Sequence, residues 1–151
     1  MSKSLPVFKA PLNGISLVEA SAGTGKTYNI TSLYVRAVLE KGLEPSQILV
    51  MTFTEAATAE LKFRLRSRLK ESLQAIKDDE AGNDVFLQKL ISRDYEDAEA
   101  KLKSAIDRFD EAAVFTIHGF CSRLLTEYSL QFGVSPTLNC LQINQNCFRI
   151  V

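Results

Sequence analysis

The sequence predicts an α/β fold built on a parallel sheet. Three short β-type runs recur along the chain: Ile15-Ser16-Leu17-Val18, Ile48-Leu49-Val50-Met51 and Ala113-Val114-Phe115-Thr116-Ile117. Continuous apolar runs of this kind suit strands covered on both faces. Each run is followed by a helical pattern, and strand–helix alternation calls for parallel pairing through crossover helices. Three strands make a small sheet, so the expected domain is partial.

The elements follow in order. Residues 1–14 carry Pro6, Pro11, Asn13 and Gly14 and read as an irregular lead-in. The first strand, 15–18, is followed by the turn Ala22-Gly23-Thr24-Gly25. From Lys26, the spacing of Ile30, Leu33, Tyr34, Ala37 and Val38 predicts a helix, and Gly42 suits its C-terminal cap. Pro45-Ser46 breaks the chain before the second strand.

The next stretch supports two periods. Lys62, Arg64, Arg66, Arg68 and Lys70 alternate with Leu61, Phe63, Leu65, Ser67 and Leu69, as a strand would. Leu61, Leu65, Leu69, Leu73 and Ile76 also form one helical stripe, and Ala56-Ala57-Thr58-Ala59-Glu60 favours helix. The spacing therefore predicts a helix over about 55–76, with Thr54 as its N-cap. A helical insertion over about 77–111 follows a polar break, with one short helix around Phe86–Ile91 and another around Ala98–Phe109. After the third strand, Phe120, Leu124, Leu125 and Tyr128 predict a helix beyond Gly119. Residues 131–151 contain Gly133 and Pro136, show no period and read as an irregular tail.

Composition bounds the function. The 151 residues suit one domain, and 46% hydrophobic with 24% charged residues excludes wholesale disorder. The 18 basic and 18 acidic residues cancel, so any nucleic-acid site must be a local patch. No apolar run approaches the roughly 18 residues of a membrane span. Met1-Ser2-Lys3-Ser4-Leu5-Pro6 lacks the apolar core of a signal peptide, and the chain reads as cytoplasmic. Cys121, Cys140 and Cys147 are odd in number, form no CxxC pair and have only His118 for company, so they read as reduced thiols rather than zinc ligands.

The strongest motif is Ala20-Ser21-Ala22-Gly23-Thr24-Gly25-Lys26-Thr27. It matches the phosphate-loop pattern GxxxxGK[ST] except that Ala20 stands at the first glycine. Gly23 and Gly25 permit the backbone conformations and close approach that let successive N–H groups cradle a phosphate at a helix N-terminus. Lys26 places a cation against the β/γ oxygens and is the candidate catalytic residue; the Thr27 hydroxyl is the candidate ligand for Mg²⁺. The expected cofactors are ATP and Mg²⁺. Hydrolysis also needs an acidic group that holds the metal, usually after an apolar strand, and an Arg on the developing charge. Asp110-Glu111 precedes a strand rather than ending one, and reads as a helix end.

Two further motifs follow the second and third strands: Thr52-Phe53-Thr54-Glu55-Ala56-Ala57-Thr58-Ala59-Glu60-Leu61 and Thr116-Ile117-His118-Gly119-Phe120-Cys121. Ligands of open parallel sheets meet the carboxyl ends of strands, so both motifs and the phosphate loop are expected on one edge. Their hydroxyls, rings and imidazole suit phosphates and stacked bases.

With Glu19 before the loop, Val50-Met51 before the second motif and Asp110-Glu111-Ala112-Ala113-Val114-Phe115 before the third, these segments resemble the N-terminal region of the RecB family. Its members are the β subunits of exodeoxyribonuclease V and belong to the UvrD-like superfamily 1 helicases. The resemblance covers about residues 12–130 and implies a partial RecA-like P-loop NTPase domain over 15–130. It implies ATP-driven 3′→5′ translocation on DNA in double-strand break repair. DNA single strands and duplex ends, and RecC-like and RecD-like subunits, would be partners; no membrane is involved. By motif, Phe53, Thr54, His118, Gly119 and Phe120 would lie on the single-strand path.

Plainer roles stay open. Phe53 fits a strand-end core aromatic, Thr54 a helix cap alone, His118 a carbonyl partner, and the Lys62-to-Lys70 charges a solvated face. The family's acidic strand motif, coupling motifs, second RecA-like domain and nuclease domain lie downstream of what resembles it here. The chain therefore reads as a fragment expected to bind nucleotide without turning it over at a motor's rate. The rival readings are a non-enzymatic nucleotide- or DNA-binding module and another phosphate-loop enzyme, such as a small-molecule kinase. A kinase should carry an Arg-rich lid, and none stands out.

Overall fold

The computed structural model describes residues 7–18, 25–93 and 95–128. Its elements are α1 (Lys26–Lys41), β1 (Val50–Thr52), α2 (Glu55–Asp78), α3 (Val85–Ile91), α4 (Ala98–Asp107), β2 (Val114–Thr116) and α5 (Ile117–Glu127). Three single 3-10 turns, Val7–Lys9, Pro45–Gln47 and Phe109–Glu111, join them. The two strands are hydrogen-bonded neighbours and run parallel, as the strand–helix alternation requires.

The long helix α2 organises the rest. Its ambiguous charged stretch is helical throughout, because Leu65 and Leu69 become fully buried at helical spacing. An alternating strand would have put them on one face with Leu61 and Phe63 on it too, yet Phe63 is exposed. α2 packs on α1, α3 and α4 and against both strands. Val35, Val38 and Leu39 of α1, Phe86 and Leu90 of α3, and Leu102 of α4 complete the buried cluster with Val114 of β2. Gly42 takes a left-handed φ of 64° and ends α1, as expected of a C-cap glycine.

Two expectations about strands are corrected. Residues 15–18 form no strand: Ile15 and Leu17 are 103% and 84% exposed, and neither β1 nor β2 pairs with them. An apolar run becomes a strand only where a neighbour offers a ladder, and among the described residues nothing does so here. β1 is also displaced two residues from the expected start at Ile48, because the 3-10 turn at Pro45–Gln47 occupies the approach. The lead-in is less irregular than expected. Val7 is buried, Phe8 stacks on Phe86 at 5.0 Å, and the Arg36 guanidinium donates to the carbonyls of Val7 and, at 2.9 Å, Ala10.

A further correction concerns Arg68, grouped by its sequence with the solvated charges. Lys62, Arg64, Arg66 and Lys70 are indeed exposed, but Arg68 is 6% exposed. Its guanidinium meets Asp84 at 2.7 and 3.1 Å, Glu71 at 3.2 Å and Ser32 Oγ at 3.3 Å. It lies 4.7 Å from the Tyr28 ring centre and 4.8 Å from that of Phe86. Asp84 in turn caps α3, accepting from the Phe86 and Leu87 amides at 2.8 and 3.1 Å. Burial pushes the Asp84 carboxyl up, but hydrogen bonds from Arg68, Tyr28 and the Leu87 amide outweigh it and hold the group at about 2, below its ordinary 3.8.

Removing one partner of a buried ion pair strands the other charge, so Asp84→Ala should destabilise the fold by about 3 kcal/mol at pH 7 in urea titrations. Because the folded carboxyl titrates near 2 and the unfolded one near 3.8, its contribution is complete above pH 4 and fades as pH falls towards 2. Asp84→Asn should flatten that acid limb of the stability curve; an acid limb identical to the wild type would contradict the assignment.

Candidate nucleotide and nucleic-acid site

Three stretches that the sequence singles out start from different elements. The first is the head of α1. Gly25 is its N-cap residue, with φ 82° and ψ 23°, a left-handed conformation that suits glycine; the space where a Cβ would stand is open. Its carbonyl accepts the first helical bond, from the Asn29 amide at 2.9 Å. Gly25 has no side chain to cap the leading amides of the first turn, which a helix leaves without internal partners. Lys26 is exposed and Thr27 half-buried at this end. The leading amides of a helix, a projecting ammonium and an adjacent hydroxyl fit a magnesium-bound polyphosphate. Ala20, Ser21, Ala22, Gly23 and Thr24 lie outside the described residues.

The second and third stretches meet at the carboxyl end of the sheet. The parallel register pairs Val50 with Val114, Met51 with Phe115 and Thr52 with Thr116, so both strands end side by side. Each is followed at once by a helix capped by a threonine. Thr54 Oγ1 accepts from the Ala57 amide at 3.1 Å, and Thr116 Oγ1 accepts from the Gly119 amide at 3.0 Å. Thr116 Oγ1 also donates to Glu55 Oε1 at 3.0 Å, which ties the first residue of α2 to the cap of α5. On the other side, Thr52 Oγ1 and Thr58 Oγ1 lie 2.5 Å apart, and the Thr58 hydroxyl donates to the Thr54 carbonyl at 3.0 Å. The loop between β1 and α2 is therefore fixed at both ends.

This scaffold sorts the candidates. Phe53 is 87% exposed, which rules out the strand-end core role. Thr54 is an N-cap, as its residue type predicts. His118 and Gly119 sit exposed in the first turn of α5. A Cβ on Gly119 would stand 3.1 Å from Thr116 Oγ1, so a larger residue there would press on the capping hydroxyl. Phe120 is half-buried, its ring 6.3 Å from that of Phe115, with Arg123 5.4 Å from the Phe115 ring centre. Phe120 thus covers the outer sheet face, where Met51 is 50% exposed. Asp110 is in the 3-10 turn that follows α4 and pairs with Arg66 at 3.3 Å, in keeping with a helix end.

Sequence reasoning missed Glu55, which no motif argument required, and Tyr28, which follows Thr27 directly. Among the described residues there is no group of three or more His, Cys, Asp or Glu able to hold a metal ion. Likewise, no helix there is long and apolar enough to cross a membrane.

Comparison with known proteins fits this arrangement. The model of the UvrD/REP helicase N-terminal domain matches residues 4–150. The chain belongs to that family. It is 41% identical to the RecBCD enzyme subunit RecB of Haemophilus influenzae, covering 94% of this chain and 13% of that protein. It is likewise 41% identical to the RecB subunit of Escherichia coli, covering 89% of this chain and 12% of the relative. Chlamydia trachomatis RecB is 37% identical over 79% of the chain. The chain therefore spans about one eighth of the length of the curated relatives it matches.

The two site roles separate in stability measurements. Thr116→Val removes a cap and the Glu55 bond and should cost about 1–2 kcal/mol in urea. Phe53→Ala should change stability by no more than about 0.5 kcal/mol, as surface substitutions do. A loss of about 3 kcal/mol or more for Phe53→Ala would return the ring to the core.

Proposed function

We propose that this chain is the ATP-binding N-terminal part of a RecB-like DNA helicase subunit, built on a partial RecA-like core. The observation that carries the reading is the head of α1: the left-handed Gly25 followed by an exposed Lys26 and a half-buried Thr27, at the end of a phosphate-loop sequence. Family membership supports it. In this reading ATP with Mg²⁺ supplies the free energy of phosphoryl transfer when bound. Lys26 Nζ neutralises phosphate oxygens, the Thr27 hydroxyl offers an oxygen to the metal, and Gly23 and Gly25 bring backbone amides close.

The strand-end motifs form the DNA side. The exposed Phe53 offers an aromatic face to a base, and stacking of that kind tolerates any sequence. Thr54, His118, Gly119 and Phe120 line the same end of the sheet, held by Thr116 and Glu55. On this reading DNA meets the carboxyl ends of β1 and β2, while nucleotide meets the head of α1, which no strand precedes among the described residues. The relatives carry the name of a RecBCD enzyme subunit. By that similarity we extend the proposal to assembly with RecC-like and RecD-like subunits and to action on DNA ends in double-strand break repair. The nuclease activity of such an enzyme belongs, on this reading, to a domain downstream of these residues. The 151-residue chain by itself binds nucleotide without motor-rate hydrolysis.

Calorimetry with Mg²⁺-ADP tests the nucleotide claim. Lys26→Ala removes a charge-assisted contact of roughly 1.5–3 kcal/mol, which predicts at least about tenfold weaker binding. Equal affinity of wild type and variant would overturn it. In a longer chain that carries the second helicase domain, Phe53→Ala should weaken single-strand binding by about 1–3 kcal/mol with little dependence on base. Unchanged binding by such a chain would remove Phe53 from the DNA path.

A further inference from the structure

Tyr28 stands immediately after Thr27, in the first turn of α1. Its hydroxyl donates to Asp84 Oδ1 at 2.7 Å and accepts from the Phe86 amide at 3.2 Å. Those partners open α3, the first helix of the insertion, 56 and 58 residues further along the chain. Arg68 of α2 packs against the Tyr28 ring on one hand and reaches Ser32, four residues on from Tyr28, on the other. One carboxylate and one buried guanidinium thus join three helices, and on α1 they grip only the end that carries Lys26 and Thr27.

The placement matters because a first turn is the weakest part of a helix. Its leading amides lack internal partners, and helix termini fray at little cost in free energy. Gly25 adds freedom rather than restraint. A frayed turn would present Lys26 and Thr27 in many orientations, and a ligand that needs one of them must bear the entropy of ordering it. A tertiary anchor on the very next residue removes that loss in advance.

We infer that Tyr28 is a positioning residue for Lys26 and Thr27: held by Asp84 and Arg68, it fixes the first turn of α1 against the helical insertion and couples nucleotide binding to the packing of α3. The inference rests on the phosphate-loop reading and extends it to residues outside the motif. Binding linkage is reciprocal, so whatever affinity the anchor adds, nucleotide must return as protection of α3.

Amide hydrogen exchange by NMR on the full 151-residue chain tests both halves. Without ligand, Asp84→Asn and Tyr28→Phe should each speed exchange of the Asn29 amide by roughly fivefold, the size of one lost hydrogen bond. Val38 and Leu39, deep in the same helix, should keep their wild-type rates once normalised to global stability. The double variant should speed Asn29 exchange by less than the product of the single effects, because the Tyr28 hydroxyl and Asp84 share one link. With saturating Mg²⁺-ADP, the wild-type Phe86 and Leu87 amides should gain protection, and Tyr28→Phe should lose both that gain and a matching factor in ADP affinity. A role in stability alone would lower all amides together and leave ADP affinity and the Phe86 response unchanged; that result overturns the inference. Unchanged Asn29 exchange in both variants also overturns it, whatever the nucleotide does. Wild-type chain that binds no ADP, or binds it equally with Lys26→Ala, refutes the phosphate-loop reading and the nucleotide coupling with it. Faster Asn29 exchange in that case would leave only the mechanical anchor standing. Should Asp84→Asn fail to fold, Tyr28→Phe carries every comparison, since its ring stays against Arg68.

Discussion

A guanidinium buried among helices cannot be left unpaired, and Arg68 is such a group. Its desolvation is offset only if Asp84 stays close, if Glu71 and Ser32 also accept from the two terminal nitrogens, and if the Tyr28 and Phe86 rings lie against it; the buried Nε–H has no partner among the described residues, so these contacts carry all the compensation. These requirements cannot be met separately. Asp84 is also the cap of α3, Tyr28 is the third residue of α1, and Arg68 lies well inside α2. Satisfying one charge therefore sets the mutual placement of three helices. A buried ion pair is not by itself evidence of net stability, because an apolar trio could pack as well. What it supplies is specificity: a shifted α3 would take Asp84 from Arg68 and leave that buried charge only the exposed Glu71 of its own helix.

The strand ends obey a constraint of a different kind. Parallel register places Thr52 beside Thr116, and both strands must then turn directly into helices whose leading amides need acceptors. Threonine hydroxyls supply them, and Glu55 links the two turns through Thr116. Phe53 stands between β1 and the cap of α2 and projects from the surface. An exposed aromatic on a fixed turn is what a stacking platform requires, whereas a flexible loop would lose entropy on each encounter.

Much of this was legible in the chain. The helical stripe from Leu61 to Ile76, the C-cap at Gly42, the Thr54 cap, and the paired insertion helices follow from spacing and residue type. Strand pairing was legible in kind but not in extent, since the run Ile15-Ser16-Leu17-Val18 has the composition of a strand and, among the described residues, lacks a neighbour to bond. Arg68 escaped because a charge run suggests a wet face. Yet Leu61, Leu65, Arg68, Ser72 and Ala75 step by four, three, four and three, the spacing of a buried seam, and that pattern places Arg68 inward. Tyr28 and Glu55 had no such signal. Their partners, Asp84 and Thr116, are 56 and 61 residues away, and only the folded chain brings them together.

The central claim is that the head of α1 is where nucleotide phosphates bind. Titrating isotopically labelled chain with Mg²⁺-ADP and following backbone amide resonances would test it most directly. The account predicts the largest shifts at Gly23, Gly25, Lys26 and Thr27, with smaller ones at Tyr28 and Phe86. Largest shifts elsewhere, or none at saturating nucleotide, would contradict it.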